Sequence, residues 1–219
     1  EDLSTDIEGV MEFKEKEYGM QAIAIAKQAL NAATIDADKS EAWRIIGYAN
    51  EIMESYDDAF SAYDTSIKFN PKNALAISQK GHAYGLNGDI KKASELYKQA
   101  LKVNPLLEHA IANYGKILLQ EGKNNEAEIY LKSVFEISSN RRLQAEAGQL
   151  LGVLSLYKGD FAVAKNYFEK AIAIDKNLAS AWVGIAEIEY LTLGKDPINF
   201  SNNIIHIFRN IERATQINP

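Results

Sequence analysis

The sequence predicts an all-α protein, a solenoid of about six antiparallel helix pairs in a single array. Three observations predict it. The segments LNGDIKKASELYKQALKVNP (residues 86–105) and YKGDFAVAKNYFEKAIAIDK (residues 157–176) carry Gly-Asp, two alanines and an aromatic residue at matching places. Their offset of 71 positions is two units of 34 residues plus a small insertion. The chain of 219 residues holds only 4 Pro and 13 Gly and is rich in helix formers.

Taken in order, the expected units run over residues 3–39, 40–73, 74–107, 108–144, 145–178 and 179–219, the first and last being degenerate. Gly47, Gly81 and Gly115 recur at steps of 34, and Gly152 follows after 37. Ala59, Ala93, Ala127 and Ala164 keep the same spacing. Tyr63, Tyr97, Leu131 and Phe168 share a large apolar position, and Ser66, Ala100, Val134 and Ala171 a small one. Gly88, Gly122 and Gly159 are expected at the turn inside each pair, where a positive φ is open to glycine. Pro71 and Pro105 are expected to stop the second helix of their units. Glycine within a first helix costs about 1 kcal/mol relative to alanine. Close helix contact is the expected compensation, with the alanines at 59, 93, 127 and 164 facing the glycines. Helices of about 12–15 residues are marginal alone in water, so stacking has to bury their apolar faces.

Three places depart from the pattern. Residues 138–144 add three residues and lack a closing proline, which reads as a longer loop or an extra helical turn. Lys80 and Asn50 stand where large apolar residues are expected. Residues 192–203 (TLGKDPINFSNN) are longer than the other turns and are broken at Asp196-Pro197. Ile204, Ile207, Phe208, Ile211 and Ala214 then recur at helical spacing. An apolar face there, without a visible cap, raises self-association through the C-terminal unit as an expectation. The opening Glu-Asp leads to the expectation that residues preceded it, and the closing Ile217-Asn218-Pro219 to a following repeat or an atypical cap.

Trp43 and Trp182 each stand four places before a small residue, Gly47 and Ala186. With the mid-unit glycine, the alanine, the large residue four places on, the second small residue and the closing proline, this pattern resembles the tetratricopeptide repeat. The likeness covers nearly the whole chain. It implies a right-handed superhelix whose concave surface is lined mainly by the first helix of each pair. The stretch from Asn113-Tyr114-Gly115 through Leu151-Gly152 to Tyr167-Phe168-Glu169-Lys170 also resembles bacterial pilus-assembly proteins of this repeat type.

Composition removes several function classes. A net charge of -6 without a basic block is the wrong balance for a phosphate-dominated nucleic-acid binder. The chain has 0 Cys, which excludes disulfides and thiolate chemistry. No apolar run approaches a membrane span. P-loop, nucleophile-elbow and dinucleotide fingerprints are missing, and His82, His109 and His206 share no metal-ligand spacing. No cofactor and no catalytic residue is therefore expected.

Function is then expected on the faces that packing leaves free. The resemblance puts Arg44 and Tyr48, Ser78 and His82, Asn113 and Lys116, Gln149 and Tyr157, and Val183, Glu187 and Tyr190 on the inner surface. Tyrosines there suit contact with a peptide, and Arg44 and Lys116 suit a carboxylate. Chaperone-binding members of the family grip a C-terminal carboxylate with Lys, Asn and Arg. The corresponding positions here are Arg44, Tyr48, Gln79, His109 and Asn113, or, one unit on, Ser78, His82, Asn113, Glu146 and Leu150, so binding of a heat-shock-chaperone tail is not expected. The leading expectation is a non-catalytic scaffold that binds a peptide or helix of a partner protein in its groove. The alternatives are a component of a bacterial pilus or secretion assembly, and the docking arm of a larger enzyme.

Overall fold

The computed structural model describes residues 3–192 and 200–217, with side chains for residues 14, 16–192 and 205–217. Among the described residues there are eleven α-helices and no strand. α1 (Leu3–Ala32) is followed by α2 (Asp36–Ile52) and α3 (Tyr56–Phe69), then α4 (Ala74–Leu86) and α5 (Ile90–Val103). α6 (Glu108–Gln120) and α7 (Asn124–Ile137) come next, then α8 (Arg141–Tyr157) and α9 (Phe161–Ile174), and finally α10 (Ala179–Thr192) and α11 (Phe200–Ile217). The helices fall into two compact units, Glu1–Ala110 and Ile111–Pro219.

The first expected pair is a single helix of 30 residues. No turn glycine followed by Asp interrupts it, and its sequence is rich in Ala, Lys, Glu and Gln. Gly19 lets α1 lie directly on α2: a Cβ there would stand 2.7 Å from Met53 Cγ. Ala26, Ile46 and Ala62 close the cluster between α1, α2 and α3. Five hairpins follow α1.

The repeated glycines occupy equivalent places. The atoms nearest to Gly47, Gly115 and Gly152 belong to Tyr63, Leu131 and Phe168, and Gly81 meets Leu96, Ala93 and Tyr97. The large residue of the second helix thus sits directly on the glycine of the first. This corrects the expectation that alanine would face it; of the four alanines, only Ala93 contributes one of the nearest atoms. A ring or isobutyl group fills the missing side-chain volume, and that contact offsets the helix-propensity cost of glycine.

Gly88, Gly122 and Gly159 have φ of +87°, +72° and +79°, as a left-handed turn residue requires. The same place in the first hairpin is held by Glu54, with φ +58°. A left-handed conformation costs a residue with a side chain about 1–2 kcal/mol. Glu54→Gly should therefore raise stability by about 1 kcal/mol, read as a higher urea midpoint at unchanged slope; a lower midpoint would contradict the assignment.

Second helices end at Asn70, Asn104 and Asp175, whose side-chain oxygens accept from the backbone N–H of Lys72, Leu106 and Asn177 at 3.0, 3.1 and 2.9 Å. These turns form with Pro71 and Pro105 in two cases and without proline in the third. The three extra residues before α8 lengthen that helix to 17 residues against 13 in α4 and α6. Asn140 caps it, accepting from the N–H of Arg142 and Leu143.

Buried polar residues in the first unit are satisfied. Ser66 Oγ donates to Ser40 O at 2.7 Å, and Asn73 Nδ2 donates to Ser40 Oγ at 3.0 Å. Asn50 Nδ2 donates to Ile46 O at 3.0 Å. Lys80 pairs with Asp64 at 2.5 Å across α3 and α4. In the second unit Ala164, Phe168, Ala171, Ala181, Ile185 and Ile188 form the core between α9 and α10. α11 turns Ile207, Asn210 and Ala214 inward, Asn210 Nδ2 donating to Glu189 Oε2 at 3.0 Å. Phe208 and Ile211 stay exposed, so the face expected as one stripe is divided between core and surface. The expected break at Asp196-Pro197 and the side chain of Ile204 lie outside the described residues.

Candidate functional site

In the second unit the first helices α8 and α10 stand side by side, and a cleft of about 630 Å³ opens between them. Its floor is Phe168 of α9, fully buried beneath Gly152 and Gly184. Two glycines on two neighbouring helices bracket one ring, so the floor has little freedom to move. Gln149, Val153, Leu156 and Tyr157 line the α8 side, and Ser180, Val183, Glu187 and Leu191 the α10 side. Tyr157 is 83% exposed, and Val183 and Leu191 are also exposed. Apolar side chains left open beside a rigid floor form a surface that gains free energy when covered.

At the α8 N-terminal end the inner face is charged. Lys116 Nζ lies 2.7 Å from Glu146 Oε2, and Arg142 Nε donates to Glu146 Oε1 at 3.1 Å. Burial alone would raise the Glu146 carboxyl, but the hydrogen bonds and charges of Lys116 and Arg142 hold it below the ordinary range. Lys116 is thus committed to Glu146, while Asn113 is half-buried on α6.

In the first unit the expected residues meet different fates. Arg44 forms a two-pronged pair with Glu41, at 2.9 and 2.5 Å, and gives a third N–H to Gln79 Oε1 at 2.8 Å. Its hydrogen bond lowers the Glu41 carboxyl despite partial burial. Arg44, the residue that best keeps the character of a carboxylate clamp, is therefore occupied. Ser78 is 3% exposed, which corrects its placement on the inner surface: it faces the packing between helices. Tyr48 is exposed. His82 Nδ1 donates to Glu51 Oε1 at 2.7 Å, and Tyr63 Oη donates to Glu51 Oε2 at 2.8 Å. Glu51 is only 5% exposed, so one buried carboxylate joins α2, α3 and α4.

Of the residues expected on the inner surface, Gln149, Tyr157, Val183 and Glu187 come together in the cleft. Tyr190 is exposed but stands outside its lining. Leu191 takes the place expected for Tyr190, because the α10 row continues from Val183 and Glu187 at steps of four. That spacing was visible in the sequence. Glu51 carried no repeat signal.

Stacked helical hairpins with a lined cleft between neighbouring first helices define a helical-repeat scaffold. The tetratricopeptide repeat family matches residues 75–105, 108–141 and 145–178, and these segments are tetratricopeptide repeats. Among curated proteins, anaphase-promoting complex subunit 3 of Schizosaccharomyces pombe is 21% identical over 141 residues, 64% of this chain and 21% of the relative. The human protein O-mannosyl-transferase TMTC3 is 25% identical over 122 residues, 53% of this chain and 13% of the relative. The chain thus spans about a fifth or less of the length of these relatives. Among solved structures, PilF of Pseudomonas aeruginosa superposes with a TM-score of 0.72 at 19% identity, over 84% of this chain and 78% of PilF. PilW, a type IV pilus biogenesis factor, gives 0.67 at 20% identity, over 81% and 78%. YrrB, a repeat protein with an unusual peptide-binding site, gives 0.64 at 18% identity, over 89% and 92%. At these identities the structural likeness establishes the fold.

Proposed function

We propose that this chain is a non-catalytic binding scaffold and that the cleft between α8 and α10 takes a peptide or helix of a partner protein. The observation that carries the reading is the apolar rim, with Tyr157, Val183 and Leu191 exposed and Val153 and Leu156 half-buried, set over the fixed Phe168 floor. Covering such a rim favours association, and Tyr157 offers both a ring and a hydroxyl to a main chain. YrrB, a relative in fold, has a peptide-binding site.

Dodecapeptides selected against the chain from a random phage library test this. Their affinity should fall about tenfold or more for Val183→Asp, which places a charge in the apolar rim. It should be unchanged for Ile129→Asp, at an exposed position on the second helix α7. Peptides indifferent to Val183→Asp would remove the cleft as the site. A role in a pilus assembly is a second reading, favoured by the likeness to PilW. Service as the docking arm of a larger enzyme is a third, favoured by the match to TMTC3.

A further inference from the structure

Charge is distributed unevenly along the inner faces. Glu41 holds Arg44, Glu51 holds Tyr63 and His82, and Glu146 holds Lys116 and Arg142. Glu187 is exposed, lines the cleft and makes no hydrogen bond or ion pair among the described residues. Its neighbours in the row along α10 are Val183, one turn before, and Leu191, one turn after. An unpaired carboxylate between two exposed apolar side chains is a poor place for an uncharged or acidic ligand. Covering the rim would strip water from Glu187 with nothing to replace it.

We infer that the segment bound in this cleft is an extended peptide carrying Lys or Arg between two apolar residues, its cation meeting Glu187 while the flanking side chains cover Val183 and Leu191. The spacing follows from geometry. Positions four apart on a helix are separated by about 6 Å along its axis. Alternate residues of an extended chain point the same way and are separated by about 6.6 Å. An extended ligand along α10 therefore matches the row Val183, Glu187, Leu191 with the pattern apolar-x-basic-x-apolar. The inference rests on the cleft being the binding site, and it adds the chemistry and spacing of what binds there.

The same dodecapeptide library, panned in parallel on the wild-type chain, Glu187→Gln and Glu187→Lys, decides it. Wild-type selections should be enriched in apolar-x-[Lys/Arg]-x-apolar. Glu187→Gln should lose the preference for a basic central residue, and Glu187→Lys should turn it to Asp or Glu. Wild-type peptides should bind Glu187→Gln a few-fold more weakly and Glu187→Lys about tenfold more weakly, with the difference shrinking as salt rises. Peptides that lose affinity with Val183→Asp but show the same composition on all three proteins would overturn the inference and leave the cleft standing as the site. Peptides indifferent to Val183→Asp, or a library that yields no binder, would overturn both.

Discussion

Gly184→Ala is expected to lower the stability of the second unit by about 2–3 kcal/mol. The added methyl would overlap the Phe168 ring, whose atoms are the nearest neighbours of that position. The ring has nowhere to go, because a Cβ on Gly152 would also stand within 2.6 Å of it from the other side. Helix propensity acts in the opposite direction, favouring alanine by up to about 1 kcal/mol. Overpacking wins because the collision is with a fully buried ring, and not with the free end of a flexible chain. Gly85→Ala is the matched control. Its methyl would meet Ala93 Cβ at 3.7 Å, an ordinary contact, so propensity decides and the variant should gain about 0.5–1 kcal/mol. Urea midpoints of the two variants should thus move in opposite directions. Gly184→Ala combined with Phe168→Leu should recover part of the loss, since the two positions share one space. A Gly184→Ala protein as stable as the parent would mean that α10 does not rest on that ring.

The repeat made this contact legible in part. The period aligns Gly47, Gly115 and Gly152 with one another and Tyr63, Leu131 and Phe168 with one another, but spacing alone pairs the glycines with Ala59, Ala127 and Ala164, and only the fold shows the large residue in contact. The turn glycines were legible for the same reason, since the turns at Glu54, Gly88, Gly122 and Gly159 each take one left-handed residue at the same place in the repeat. Gly184 is less legible, because Ala186 holds the small position of the family pattern two places along. Ser78 misled because a first helix is flanked by neighbours on both sides. Each residue along a helix turns by about 100°, so a register error of one place moves a side chain from groove to core. Glu51 was illegible. Its partners Tyr63 and His82 lie 12 and 31 residues away, and the matching places in the next units hold Gly85, Leu119 and Leu156, so no period announces the carboxylate. The cleft itself was half legible: the repeat supplies candidate inner positions, but which of them stay free depends on ion pairs such as Arg44–Glu41 and Lys116–Glu146 that only the fold assembles.

Tyr63→Phe should show a pH-dependent cost that nearly vanishes in alkali. The Tyr63 hydroxyl is buried and donates to Glu51 at 2.8 Å. Burial first, then the charge of Glu51 and the hydrogen bond to it, push the phenol far above its ordinary range. Near neutral pH the variant loses a hydrogen bond to a charged group, worth about 1.5–3 kcal/mol, while Glu51 keeps its contact with His82. The alkaline behaviour follows from proton counting. In the unfolded chain the phenol titrates near pH ~10. Below that pH both states hold the proton and the stabilisation is complete. Above it the unfolded chain releases the proton and the folded chain keeps it, so unfolding becomes easier by up to about 1.4 kcal/mol per pH unit from this group alone. Phenylalanine has no proton to lose, and the contribution disappears. Tyr56 and Tyr114 are also raised, chiefly by burial, and leave a residual slope common to both proteins. Urea unfolding at about pH 8 and about pH 11 should therefore find the wild type ahead by about 2 kcal/mol at the lower pH and by less than about 1 kcal/mol at the higher one. A gap that stays constant between the two would show that the phenol titrates alike in both states, and the buried bond to Glu51 would then have no part in tying α3 to α2.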